Sequence, residues 1–150
     1  MAITFQGEFQ VKPTPEEAYD FLTDPNEFGP LLPDFEGMTV EDATHFTVKA
    51  RVGISHIRGT AEVKMHLTEA ERPRRAAYEG RGSVAGGSVE LKAGFDLESC
   101  NGGTRVVWKG EAQIFGRLMS VAGGLLEPLA KKNVQKLIDG LQRSLESKEA

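Results

Sequence analysis

Few side chains in this sequence are of a type that could carry out chemistry. Tyr78 and Trp108 are polar-tipped aromatic residues at positions that alternation places on the apolar side of their strands, so each could present one hydrogen-bond donor to an interior. His56 lies beside a predicted hairpin, where an imidazole could exchange protons at the rim of a site. His66 alternates with apolar positions and is predicted to point outward. An anchored core aromatic or a surface histidine is the structural alternative for each of them.

The combinations of residues that catalysis usually requires are not legible in the sequence. We find no paired inward carboxylates, no Ser-His-Asp set, no Cys-His pair and no phosphate-binding glycine loop. The single cysteine, Cys100, excludes an internal disulfide and is predicted to lie in an exposed turn without metal-ligand neighbours. We therefore expect no cofactor and no metal site, and a binding module is favoured over an enzyme.

The bulk properties of the chain narrow its class. Its 150 residues suffice for one domain, predicted to span residues 1–150. The net charge of -4, with acidic and basic residues mixed, gives no reason to expect nucleic-acid binding. Arg72, Arg74 and Arg75 are predicted to form a solvated turn. No signal peptide is visible, and the most apolar window, residues 118–130, is too short to span a bilayer, so we expect a cytoplasmic protein.

Most of the chain before residue 115 is predicted to form strands. A short helix interrupts them, because residues 14–17 read Thr-Pro-Glu-Glu, a capping box with proline at the first helical position. Residues 26–37 are too irregular for a regular element and too apolar for an ordinary loop. Short turns between the strands predict an antiparallel meander. Apolar and polar residues alternate, as in a strand with one buried face, in residues 3–11, 46–54, 57–67, 76–83, 89–97 and 106–114.

Residues 116–149 carry apolar side chains at steps of three and four, which predicts a long amphipathic helix. Pro128 has no amide hydrogen and its ring clashes with the carbonyl of Gly124, so we expect a bend or break there. Each apolar face must be covered, and the simplest solution is that sheet and helix cover each other. The predicted fold is therefore α+β: a curved antiparallel sheet of six to seven strands wrapped around a long C-terminal helix.

Many inward strand positions hold glycine or alanine, where valine or phenylalanine would ordinarily fill the gap between sheet and helix. This pattern indicates unfilled volume lined by apolar side chains. The alternative is that the glycines only permit strand curvature around a solid core. The residues predicted to line a ligand cavity are Val48, Ala50, Ala61, Val63, Met65, Tyr78, Leu91, Phe95, Trp108, Gly110, Leu125 and Leu129.

Two apolar stretches, residues 28–35 and 115–124, are predicted to form the mouth of this cavity. Both contain glycine or proline, which a hinge or a broken helix would need. The second stretch is followed by Lys131 and Lys132 and could instead contact a membrane surface. The predicted mouth residues are Phe28, Leu31, Leu32, Phe35, His56, Leu118 and Met119.

Several segments of the sequence carry a family resemblance. They are Phe-Gln-Gly-Glu-Phe at residues 5–9, the run at 13–25, Val-Gly at 52–53, Gly-Thr-Ala at 59–61, and Phe-Gly-Arg-Leu-Met at 115–119. In these segments the chain resembles the START-like (polyketide cyclase and lipid-transport, SRPBCC) superfamily and, within it, the family of the carbon monoxide dehydrogenase G subunit. The resemblance covers the whole domain and implies a helix-grip (START/Bet v-like) fold and an accessory role for a carbon monoxide dehydrogenase-type redox enzyme.

We therefore expect a protein that binds or transports a hydrophobic small molecule, such as a lipid, quinone or polycyclic compound. The other expected partners are a redox enzyme or a membrane surface, which would make the protein peripheral to the membrane, and the chain is expected to be a monomer or homodimer. One alternative is a polyketide cyclase-like or dehydratase-like enzyme with Tyr78 or His56 as proton donor. Another is a protein-docking module that uses residues 28–35 and has no cavity.

Overall fold

The computed structural model describes residues 2–54, 57–84 and 87–147, with only the backbone described for residues 54, 57, 84 and 117–125. The elements are, in chain order, β1 (Ala2–Val11), α1 (Pro15–Leu22), α2 (Pro25–Phe28), a 3₁₀ turn (Gly29–Leu31), β2 (Phe35–Val40), β3 (His45–Ile54), β4 (Ile57–Glu71), β5 (Arg75–Val84), β6 (Gly87–Cys100), β7 (Gly103–Gly116) and α3 (Arg117–Ser147).

The strands form one antiparallel sheet in the order β1-β7-β6-β5-β4-β3-β2. Strands β2 to β7 follow one another as a meander, and β1 pairs with β7 as the edge strand opposite β2. The predicted sheet is confirmed, with seven strands in the described part of the chain. The register aligns one inward row across four strands, because Phe5 lies opposite Gly110, Gly110 opposite Ala93 and Ala93 opposite Tyr78.

Helix α1 begins where the capping box predicts. The backbone N–H of Glu17 donates to the Thr14 hydroxyl at 3.3 Å, and Pro15 occupies the first turn. Its apolar face is buried through Ala18, Phe21 and other residues. This helix therefore covers one end of the sheet's inner face.

Helix α3 runs over the inner face of the sheet as one continuous element, with Pro128 inside it. The prediction was a bend or a break at Pro128: a break is wrong, because the helix is continuous, and a bend stays a prediction. Proline removes one backbone hydrogen bond there. The helix packs principally against β1, β7 and β6. Helix α3 therefore covers little of the inner face of β3 to β5, where Phe28 packs against Phe46 and Tyr78 instead.

Within the described residues, the buried core is divided into two clusters. The large cluster joins α1 to the C-terminal half of α3 and consists of Phe9, Val11, Ala18, Tyr19, Phe21, Leu22, Ala76, Leu97, Val106, Leu141 and Leu145. The small cluster lies towards the other end of the strands and consists of Ile3, Ala61, Ile114 and Leu126. Along β7, Val106 belongs to the large cluster and Ile114 to the small one, which leaves Gly110 midway between them.

Two further local predictions require correction. The segment at residues 26–37 contains α2, the 3₁₀ turn and the start of β2, because Asp24 caps α2 and Phe35 already pairs with Ala50. Cys100 is the last residue of β6 and is half-buried, so it does not lie in the exposed turn itself.

The arginine-rich turn is held by ion pairs with distant parts of the chain. Arg72 donates to both carboxylate oxygens of Asp20, at 2.9 and 3.0 Å. Arg75 donates to Asp96 at 2.6 Å across β5 and β6. These side chains are solvent-exposed, as predicted, but they fasten the turn to α1 and β6.

Candidate functional site

The candidate site lies on the inner face of the sheet, between the two packed clusters. Ala93 is the clearest sign of open space there: strand alternation points its side chain inward from a central strand, yet the residue is exposed. Gly110, its neighbour in the row, adds no side chain. An ideal Cβ built at Gly110 would meet only the Lys92 carbonyl oxygen at 3.6 Å and Phe5 Cδ2 at 3.8 Å. The centre of the row is thus loosely packed.

The residues around this centre are apolar and only partly buried. Leu91 and Phe95 lie on either side of Ala93 along β6, and both keep some accessible surface. Leu129, on the helix, is also half-buried, whereas Leu126 and Leu145 are buried. Close-packed interiors leave little accessible surface on inward side chains, so the middle of the molecule is packed less densely than its two ends.

Not every inward glycine contributes to this space. The indole of Trp108 crosses over Gly7, its partner on β1, and a Cβ at Gly7 would lie 2.8 Å from the indole Cζ2. The sulfur of Met65 occupies the corresponding space above Gly80. These two glycines make room for a neighbouring side chain, which agrees with the alternative interpretation at those positions.

The indole nitrogen of Trp108 is a buried donor that has no acceptor among the described residues. Its Nε1 has essentially no accessible surface and finds no hydrogen-bond partner in the part of the chain that the structure describes. Buried tryptophan N–H groups usually have a partner, because an unpaired buried donor loses its hydrogen bonds to water. The residue lies one inward position from Gly110 on β7, at the edge of the loosely packed centre.

Tyr78 closes the other end of the row and is held in place by its hydroxyl. This hydroxyl donates to the backbone carbonyl oxygen of Leu22 at 3.0 Å. Burial raises the pKa of Tyr78, and the neighbouring Tyr19 and Asp24 raise it further. The phenol therefore stays neutral with its proton engaged, which is unfavourable for a general acid.

The segment after α1 packs down beside the row through an aromatic cluster. The ring of Phe28 meets those of Phe46 and Tyr78 edge to face, at centroid distances of 5.8 and 5.9 Å. Leu31 reaches towards α3, where an ideal Cβ at Gly140 would lie 3.9 Å from its Cδ2. The segment thus bridges the open side of the inner face, between β3 and the helix.

A groove of about 500 Å³ runs along the same four strands, and Phe5, Gly110, Ala93 and Tyr78 of the row line it together with outward-facing residues. Ala77 and Gly94, which occupy outward positions by alternation, lie opposite each other in register within this groove. Lys92, Lys109 and Glu111 line it as well, so its walls carry both signs of charge. No described group of three or more His, Cys, Asp or Glu side chains is arranged to hold a metal ion.

The sequence model of the CoxG family, named for the G subunit of carbon monoxide dehydrogenase, matches residues 7–146. The chain belongs to the CoxG family. The match spans the whole inner row except Phe5, together with α1 and nearly all of α3. The resemblance noted in the sequence is therefore confirmed. No curated protein matches the sequence.

Solved structures share the fold of this CoxG-family chain at low sequence identity. A conserved protein from Geobacillus kaustophilus is 18% identical, with a TM-score of 0.83, over 97% of this chain and 96% of the other. Ara h 8.0201 is 15% identical, with a TM-score of 0.64, over 98% and 97%. StfQ, a di-domain ARO/CYC of the steffimycin biosynthetic pathway, is 9% identical, with a TM-score of 0.65, over 99% of this chain and 52% of its own. These likenesses confirm the helix-grip fold.

In this CoxG-family chain the predicted cavity residues that lie on strands share the inner face by register, but they are buried to different degrees. Val48 and Ala61 are buried, and Ala61 belongs to the small cluster. For Leu125 the structure describes only the backbone. The half-buried residues of the predicted lining are Ala50, Val63, Met65, Tyr78, Leu91, Phe95, Trp108, Gly110 and Leu129.

The predicted mouth is only partly described. Phe28, Leu31, Leu32 and Phe35 are all half-buried in α2, the 3₁₀ turn, the turn's C-cap and the start of β2. His56 lies outside the described residues, as do the side chains of the two mouth residues predicted in α3, Leu118 and Met119. Their role at the mouth stays a prediction.

Two residues of the row are missing from the predicted lining, Phe5 and Ala93. Alternation placed both on the inner face, but only the register shows that they flank Gly110.

In the described residues, no helix is both long enough and apolar enough to cross a membrane.

Proposed function

We propose that this protein binds a hydrophobic small molecule between the inner face of its sheet and helix α3. One observation carries the proposal: two well-packed clusters are separated by an apolar row whose centre, Gly110 and Ala93, is loosely packed. When a ligand covers apolar groups that are accessible inside a fold, their removal from water contributes favourably to the free energy of binding.

The composition of the row suggests the class of ligand. Burial of apolar ligand surface would contribute about 25 cal/mol per Å². The phenol of Tyr78 is already bonded to Leu22, so few polar groups remain to select between ligands. A lipid, a quinone or a polycyclic compound fits these requirements, and selectivity among them would be loose.

Membership of the CoxG family supports a further part of the proposal. The ligand-binding chain would act as an accessory or carrier for a carbon monoxide dehydrogenase-type redox enzyme, with which it would associate in the cytoplasm or at the membrane surface. Affinity purification of the tagged chain from its native cells, with and without the candidate ligand, would detect such an enzyme.

The enzymatic and docking alternatives have less support. Tyr78, the proposed proton donor of a cyclase-like enzyme, has its hydroxyl bonded to a backbone carbonyl and a raised pKa. The apolar side chains of residues 28–35 that a docking module would present are themselves half-buried.

The test uses substitutions at Gly110 and a polycyclic fluorescent probe. Gly110→Phe adds an aromatic ring at the centre of the row, so we expect at least tenfold weaker binding of 1-aminoanthracene. Gly53→Phe is the matched control, because Gly53 is exposed and a Cβ there meets nothing within 4 Å. Native mass spectrometry of the purified wild-type protein, before and after solvent extraction, would detect co-purified ligand. Equal probe affinity in both variants, with no extractable ligand, would contradict the proposal.

A further inference from the structure

The inward face of the sheet contains one hydrogen-bond donor that the described protein does not use. Tyr78 and Trp108 are the two aromatic residues with polar tips that point inward there. The hydroxyl of Tyr78 donates to the Leu22 carbonyl, whereas the indole N–H of Trp108 finds no acceptor among the described atoms. Polar recognition of a ligand in the row would therefore depend on Trp108.

The local structure accommodates this donor at a cost. The indole can lie across β1 only because residue 7 is glycine, since any Cβ there would come within 2.8 to 3.1 Å of three indole atoms. Glycine within a strand is itself unfavourable. A phenylalanine at position 108 would bury apolar surface without an unpaired donor. The N–H thus has no structural use that the described residues reveal.

We propose that the ligand carries a hydrogen-bond acceptor, such as a ketone or ester carbonyl oxygen, that accepts from the indole N–H of Trp108. This inference rests on the proposed function. The donor lies one inward position from Gly110, so an apolar body over Gly110 and Ala93 would bring its polar end next to the indole. The nitrogen has essentially no accessible surface, so a ligand that accepts from it must displace the atoms that now cover it.

The experiment compares two ligands that share a carbon skeleton, 9-fluorenone and fluorene. Their affinities are measured by displacement of 1-aminoanthracene from the wild-type protein and from the Trp108→Phe variant. Because the two ligands also differ in hydrophobicity, the informative quantity is the ratio of their dissociation constants in each protein. We expect the dissociation constant of fluorene divided by that of fluorenone to be about fivefold larger in the wild type than in Trp108→Phe. A factor of this size corresponds to the contribution of one hydrogen bond.

A second readout requires no substitution. Trp108 is the only tryptophan of the chain, so a ¹⁵N-labelled sample gives one indole N–H signal. Fluorenone should shift the indole proton downfield, and fluorene should not, because only the ketone accepts a hydrogen bond.

The outcomes separate this inference from the proposed function. One outcome contradicts only the proposed acceptor: both compounds bind, the ratio of their dissociation constants is the same in both proteins, and the indole proton does not respond to the ketone. The proposed binding site would then stand without the hydrogen bond from Trp108. If the probe binds but neither compound displaces it, the inference falls alone. If neither the probe nor the two compounds bind, both the inference and the proposed function fall.

Discussion

The hydroxyl of Tyr78 shows how a structural residue can look catalytic in the sequence. Its inward position and polar tip could be predicted from alternation. Its partner, the Leu22 carbonyl, lies on α1 and comes into reach only through the tertiary fold. Because the bond uses the phenol proton and burial raises the pKa of Tyr78, the residue acts as an anchor between the sheet and α1.

This anchor predicts a pH dependence of stability. In the unfolded chain a tyrosine ionises near pH 10. In the folded protein the pKa of Tyr78 is raised, so the unfolded state loses protons first and the free energy of unfolding falls as pH rises above that value. Tyr78→Phe should lower the free energy of unfolding near pH 8 by about 1 kcal/mol. Between pH 8 and pH 11 the free energy of unfolding of the variant should fall less steeply than that of the wild type. Urea denaturation across this range measures both effects, and an unchanged slope in the variant would contradict the assignment.

Among the secondary-structure elements, the pairing of β1 with β7 depends on the fit between Gly7 and Trp108. The two residues lie directly opposite each other, and the indole occupies the space where a side chain on β1 would stand. Alternation predicted both residues to be inward. It could not show that one fills the space left by the other, because the register between the first and last strands is a long-range feature.

We expect Gly7→Ala to destabilise the protein by about 1–3 kcal/mol, because the new Cβ must displace a large ring. Gly53→Ala is the control, since a Cβ at Gly53 meets nothing within 4 Å and alanine reduces the entropy of the unfolded chain. Thermal and urea denaturation of the two variants should therefore diverge. Similar midpoints would mean that the indole moves aside freely.

At the scale of the whole molecule, the main feature of the described residues is the division of the core into two clusters, with the loosely packed row between them. Leu145 and Leu129 lie on the same helix, but Leu145 is completely buried in the large cluster and Leu129 is only half-buried. The helix is thus held firmly at its C-terminal half and more loosely where it crosses the middle of the sheet.

This division predicts different costs for the same substitution. Leu145→Ala should cost about 2–5 kcal/mol, the usual range for a buried leucine in a close-packed core. Leu129→Ala should cost less than about 2 kcal/mol of stability, because fewer atoms surround its half-buried side chain. The same substitution should weaken binding of 1-aminoanthracene, because Leu129 is predicted to line the ligand site. Equal losses of stability would show that the middle of the molecule is packed as densely as its ends.

Local patterns were enough to define the elements of this protein and the faces that they bury. The capping box at Thr14, the alternation along the strands and the helical spacing after residue 116 are such patterns, and local hydrogen bonds and side-chain direction fix what they form. The family resemblance added the fold, and the CoxG match agrees with it.

Tertiary contacts alone settled which small residues leave space and which are filled. Gly7, Gly80 and Gly110 look alike in the sequence, yet Trp108 covers the first, Met65 covers the second and the third stays open. The sequence could not show either that the indole N–H of Trp108 has no acceptor among the described residues, because a donor's partners depend on atoms far away in the chain. Packing depends on side chains brought together across strands and helix, and no local pattern records which of them will meet.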